Sequence, residues 1–103
     1  MNAMISGKIN AIEALCAQFH VKQLELFGSA AKSEAFIVSK SDIDFLVEFL
    51  PLKRGEYADA YFGLLSALQE LFGRQVDLVM TKAIKNRYFL ESIQPSRTVI
   101  YAT

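Results

Sequence analysis

The sequence predicts an α/β domain, and three observations carry that prediction. Apolar residues recur at helical spacing in separate stretches, short apolar runs rich in Val, Ile, Leu and Phe lie between those stretches, and the two patterns alternate along the chain. At 103 residues there is room for one domain with a single core, spanning residues 1–103 with a flexible tail at residues 1–5. No repeat, low-complexity segment or internal linker interrupts it.

Each element has its own signal. After Ser6, the residues Ile9, Ile12, Leu15, Cys16 and Phe19 form the apolar stripe of a first helix. Residues 21–27 read as a first strand that ends at Gly28, and a helical turn and a loop through Phe36 and Val38 follow. A second strand over 43–49 stops at Leu50-Pro51, because proline brings no amide to a strand ladder. Residues 51–55 make a polar turn. The longest helix covers 57–72, with Tyr57, Tyr61, Leu64, Leu65, Leu68 and Phe72 on one face and Gly73 as its stop. A third strand covers 75–80. Thr81 is expected to cap a last helix running through Ser92, Pro95 to break it, and residues 97–101 to form a closing strand.

Composition narrows the function. Eleven basic and eleven acidic residues cancel, so no basic face for nucleic acid is expected, and Lys82, Lys85 and Arg87 read as a solvated face. Cys16 is the one cysteine, which excludes an internal disulfide and suits a reducing cytoplasm; within an apolar helix it reads as a buried structural thiol. His20 is the one histidine, too few for a zinc site or a histidine-based triad. The apolar stretches are too short or too interrupted to span a membrane, and no signal peptide is visible. A hydrophobic content of 52% is high for so small a domain, so a partner protein or a second copy of the chain is expected to cover part of the surface.

The chemistry lies in Ser41-Asp42-Ile43-Asp44. Alternate residues of a strand share a face, so Asp42 and Asp44 project together, with Leu46 and Glu48 beyond them. Two carboxylates this close repel unless a cation sits between them, and a hard divalent metal holding phosphate oxygens supplies one. Upstream, Leu24-Glu25-Leu26-Phe27 runs into Gly28-Ser29-Ala30-Ala31-Lys32. Glycine lets the backbone turn and approach a ligand, serine adds a hydroxyl, and the amides of a helix start attract anions. A third carboxylate, Asp77, sits within Val76-Asp77-Leu78-Val79; if the second and third strands are neighbours, it joins the pair.

Taken together, Gly28-Ser29-x-Ala31-Lys32 and Ser41-Asp42-Ile43-Asp44-Phe45, followed by Asp77, resemble the signature of the minimal nucleotidyltransferase domain within the polymerase-beta-like nucleotidyltransferases. The closing segment, with Tyr88-Phe89-Leu90 and Ile93 before Val99-Ile100-Tyr101, is similar to the tail of these domains, so the likeness runs from about Val21 onward. There are three departures. Lys32 stands where the family more often has arginine, Ser33 replaces a glycine, and the twelve residues between Ser29 and Asp42 exceed the family's common spacing.

The resemblance implies a small mixed sheet of about four strands with helices mainly on one face. It also implies transfer of AMP from ATP, with pyrophosphate leaving. Gly28, Ser29 and Lys32 would bind the nucleotide, and Asp42, Asp44 and Asp77 would hold Mg²⁺, two ions in all, with Asp77 also the general base. Stand-alone members of the family are often paired with a helical HEPN-type toxin and adenylylate a tyrosine on it, so an antitoxin acting on such a partner is the expected role. Two alternatives remain open here: a binding module that neutralises its partner by contact alone, and an enzyme acting on a small molecule with a separate acceptor-binding subunit.

Overall fold

The computed structural model describes residues 3–27 and 43–103. Over these the chain runs α1 (Ala3–Ser6), α2 (Ile9–Gln18), β1 (Val21–Phe27), β2 (Ile43–Phe49), α3 (Glu56–Phe72), β3 (Val76–Met80), α4 (Arg87–Ile93) and β4 (Thr98–Ala102), with short 3-10 turns at Thr81–Ala83 and Gln94–Ser96. The four strands form one mixed sheet in the order β3-β2-β1-β4. β1 runs antiparallel to both β2 and β4, whereas β2 and β3 are parallel. A parallel pair needs a crossover, and the 17 residues of α3 supply it.

Strand alternation divides the side chains between two faces. Leu24 and Leu26 of β1, Ile43, Phe45, Val47 and Phe49 of β2, and Val76 and Leu78 of β3 share a core with α2 and α3. α3 adds Ala60, Leu64, Leu68 and Phe72, a spacing of four that keeps one stripe on the sheet, and Gly73 closes the helix in the left-handed conformation. The opposite face is covered by α4, where Ile93 is buried with Phe27 and Leu46 and Leu90 packs against them. Among the described residues helices thus lie mainly on one side, with α4 alone on the other.

Two expectations change. The segment expected to be a tail forms a helical turn from Ala3, and Ile5 is fully buried in the main core, since burying an isoleucine side chain is favourable. The last helix starts at Arg87 and is capped by Asn86, whose side-chain oxygen accepts from the amides of Tyr88 at 2.9 Å and Phe89 at 3.3 Å. Thr81 instead donates its hydroxyl to the Val47 carbonyl at 3.4 Å and opens the 3-10 turn. The core helices, the sheet edges and the C-terminal strand otherwise fall within two residues of their sequence signals. No helix among the described residues is long and apolar enough to cross a membrane.

Candidate active site

The parallel pairing of β2 with β3 sets Asp44 opposite Asp77, and the antiparallel pairing of β1 with β2 sets Phe27 opposite Asp44. Directly opposed residues share a face with Cβ atoms roughly 5 Å apart, so Phe27, Asp44 and Asp77 form one row across three strands. Asp44 is half-buried and Asp77 exposed. Both line a cleft of about 550 Å³ that also takes in Phe27, Val79 and Phe89 and bends around the outer edge of β3 to Tyr61. The hydroxyl of Tyr61 donates to the Leu78 carbonyl on that edge and so fastens α3 to β3 beside the cleft.

The other acids described on that face have partners of their own. One step along β2, Leu46 is buried beneath α4. Beyond it, Glu48 pairs with Lys22 at 3.5 Å and with Lys82 at 3.9 Å. Glu25 is held by a two-pronged bond from Arg97, at 2.6 Å from Nε and 3.0 Å from Nη2, and by the Gln23 amide at 2.6 Å. The bond to Glu25 raises the Arg97 pKa further, with burial acting against it. These acids are occupied structurally. The expected solvated face is also seen: Lys82 is 77% exposed in its side chain, and the exposed Arg87 lies 4.0 Å from Glu91 one helical turn on.

Of the residues singled out in the sequence, Asp44 and Asp77 come together, and the register shows the strand neighbourhood on which that depended. Gly28, Ser29, Lys32 and Asp42 lie outside the described residues. Among the described residues no three acids, histidines or cysteines converge on one point. Two hard carboxylates on one face nevertheless fit a divalent cation that completes its shell with phosphate oxygens and water. Cys16 is buried, as its apolar setting predicts, and its thiol is pushed up to about 12 by burial and, less, by Glu13. Phe27 and Phe89 were not singled out as cleft residues: in the sequence Phe27 only ends a strand and Phe89 belongs to the closing segment.

A mixed sheet that presents in-register aspartates beside a cleft has the carboxylate placement that phosphoryl-group chemistry with a divalent cation can use. The chain belongs to the nucleotidyltransferase domain family, whose model matches residues 8–100, and it is a nucleotidyltransferase. It is 43% identical over 77 residues to a protein of Methanocaldococcus jannaschii that bears the name protein adenylyltransferase, covering 75% of this chain and 74% of that protein. A solved minimal nucleotidyltransferase superposes with a TM-score of 0.73 at 28% identity, covering 95% of each chain. A chain from the solved complex of a tri-AMPylated Shewanella oneidensis HEPN toxin with its MNT antitoxin shares the fold, with a TM-score of 0.64 at 19% identity over 95% of this chain and 72% of that one.

Proposed function

We propose that this protein transfers AMP from ATP to a hydroxyl, that of a tyrosine, on a HEPN-type toxin partner in the cytoplasm, and so acts as its antitoxin. The observation that carries the reading is the register of Asp44 against Asp77 at the mouth of an open cleft. The relative bearing the name protein adenylyltransferase supports the AMP donor and the protein acceptor, and the fold shared with a chain of the AMPylated toxin complex supports the kind of partner.

Asp44 and Asp77 would hold Mg²⁺ together with Asp42, two residues before Asp44 in the sequence. Bound there, Mg²⁺ would neutralise charge on the triphosphate and lower the cost of the phosphoryl transition state. Gly28 and Ser29, just beyond β1, would hold the β- and γ-phosphates, with Lys32 as a counter-charge. Asp77, the more exposed carboxylate, takes the proton from the acceptor hydroxyl as its oxygen attacks the α-phosphorus. The bond from that phosphorus to the bridging oxygen breaks, and pyrophosphate leaves with the electron pair. The product is a phosphodiester between the acceptor oxygen and AMP.

The test is incubation with Mg²⁺, α-phosphate-labelled ATP and a purified HEPN-type toxin. Labelled toxin is expected from the native chain. Asp77→Asn should lower the rate about 10²- to 10⁴-fold, and Asp44→Asn should remove the label while leaving the far-ultraviolet spectrum unchanged. An Asp44→Asn protein that labels the toxin at the native rate would overturn the mechanism. A stable complex without label would leave neutralisation by contact.

A further inference from the structure

The cleft has an aromatic side that the transfer chemistry does not use. α4 lies over the sheet on the carboxylate face, with Ile93 buried against Phe27 and Leu46. Phe27 is in the row with Asp44 and Asp77, and Leu46 follows Asp44 on that face, so α4 covers the Phe27 end of the row and the next step along β2. Phe89 is at the rim of α4 and lines the same cleft as both aspartates. Its ring stands edge-to-face with Phe27, the centroids 6.1 Å apart and the planes at 88°. Leu90 and Ile93 close the small core under α4, whereas Phe89 remains 38% exposed. Its backbone is held in place, since Asn86 takes hydrogen bonds from the amides of both Tyr88 and Phe89.

We propose that Phe89, braced on Phe27, is the stacking platform for the nucleobase of the bound nucleotide. The inference rests on the nucleotidyl-transfer reading and assigns it a base subsite. The aspartates that would hold the phosphates through the cation and the ring of Phe89 line one cleft, so a nucleotide seated on the aspartates has this ring within the same cavity. The carboxylates make the polar wall of that cleft, and the rim of α4, with Phe89 against Phe27, makes an apolar wall for the nucleoside. A phenylalanine ring there offers an apolar face to any base, which gives affinity without strict selection among bases.

Titration calorimetry with two probes tests this: Mg²⁺ with AMP-PNP, and Mg²⁺ with inorganic tripolyphosphate, which has no base. Phe89→Leu, which retains an apolar contact with Phe27 but has no flat face, should weaken AMP-PNP about tenfold or more. It should leave tripolyphosphate within about twofold, and Phe89→Trp should bind AMP-PNP at least as well as the native chain. Unchanged AMP-PNP affinity in Phe89→Leu, or an equal loss for both probes, overturns the platform while leaving the transfer reading intact. A native chain that binds neither probe overturns the transfer reading, and the base subsite with it.

Discussion

At the scale of single residues, burial and charge decide which acids and thiols are available. Glu25 sits in the sheet with its charge met by Arg97 and Gln23, and Glu48 is shared by two lysines, which leaves Asp44 and Asp77 as the acids of the cleft. The Asp-x-Asp spacing was enough to single out Asp44, because strand alternation is a local rule. Asp77 could be singled out only conditionally, since its partner row is fixed by the parallel register across α3 and not by any nearby residue. Cys16 gives a pH prediction. Burial raises its thiol from 9.0 to about 12, so between those values the unfolded chain releases a proton that the folded chain keeps. Stability is therefore full below about pH 9 and falls as pH rises, by at most about 1.4 kcal/mol per pH unit. Urea midpoints at pH 8, 9.5 and 10.5 should decline more steeply for the native chain than for Cys16→Ala, whose remaining decline reports the other alkaline groups. Parallel curves would remove the thiol from the account.

At the scale of elements, the helices and strands were legible wherever a punctuating residue closed a pattern. Leu50-Pro51 ended β2 and Gly73 ended α3, and both held. Thr81 carried the same capping chemistry as Asn86, and nothing in the local sequence says that its hydroxyl turns to the Val47 carbonyl across the sheet. The close approach of Phe19, at the end of α2, to α3 was also invisible, because it depends on one glycine. A Cβ on Gly63 would lie 2.5 Å from Cε1 of Phe19, so the two helices approach through the missing side chain. Alanine is better than glycine in a helix by roughly 1 kcal/mol, yet overpacking costs about 1–3 kcal/mol. Gly63→Ala should accordingly destabilise the native chain by about 1 kcal/mol in chemical denaturation. In a Phe19→Ala background, where the ring is gone, the same change should stabilise by a similar amount. A stabilising Gly63→Ala in the native chain would mean that the half-buried Phe19 ring swings aside at little cost.

For the molecule as a whole, the site sets stability against function. Two aspartates directly opposed in a sheet repel and cost a few tenths of a kcal/mol or more, at an edge strand held by β2 on one side and the Tyr61 hydroxyl on the other. On the proposed function, a cation with a triphosphate would turn that repulsion into attraction and add its binding free energy to the fold, about 2.7 kcal/mol at a ligand concentration one hundred times Kd. In a domain of this size each kcal/mol moves Tm by roughly 4–8 °C. Thermal unfolding should therefore show Asp77→Asn a few degrees more stable than the native chain without ligand. With saturating Mg²⁺ and AMP-PNP the order should reverse, the native chain rising by roughly 10 °C or more and the variant by much less. If the variant gains as much as the native chain, Asp77 takes no part in holding the ion and its place in the row is structural. If the variant is less stable from the start, the opposed carboxylates are already compensated within the fold.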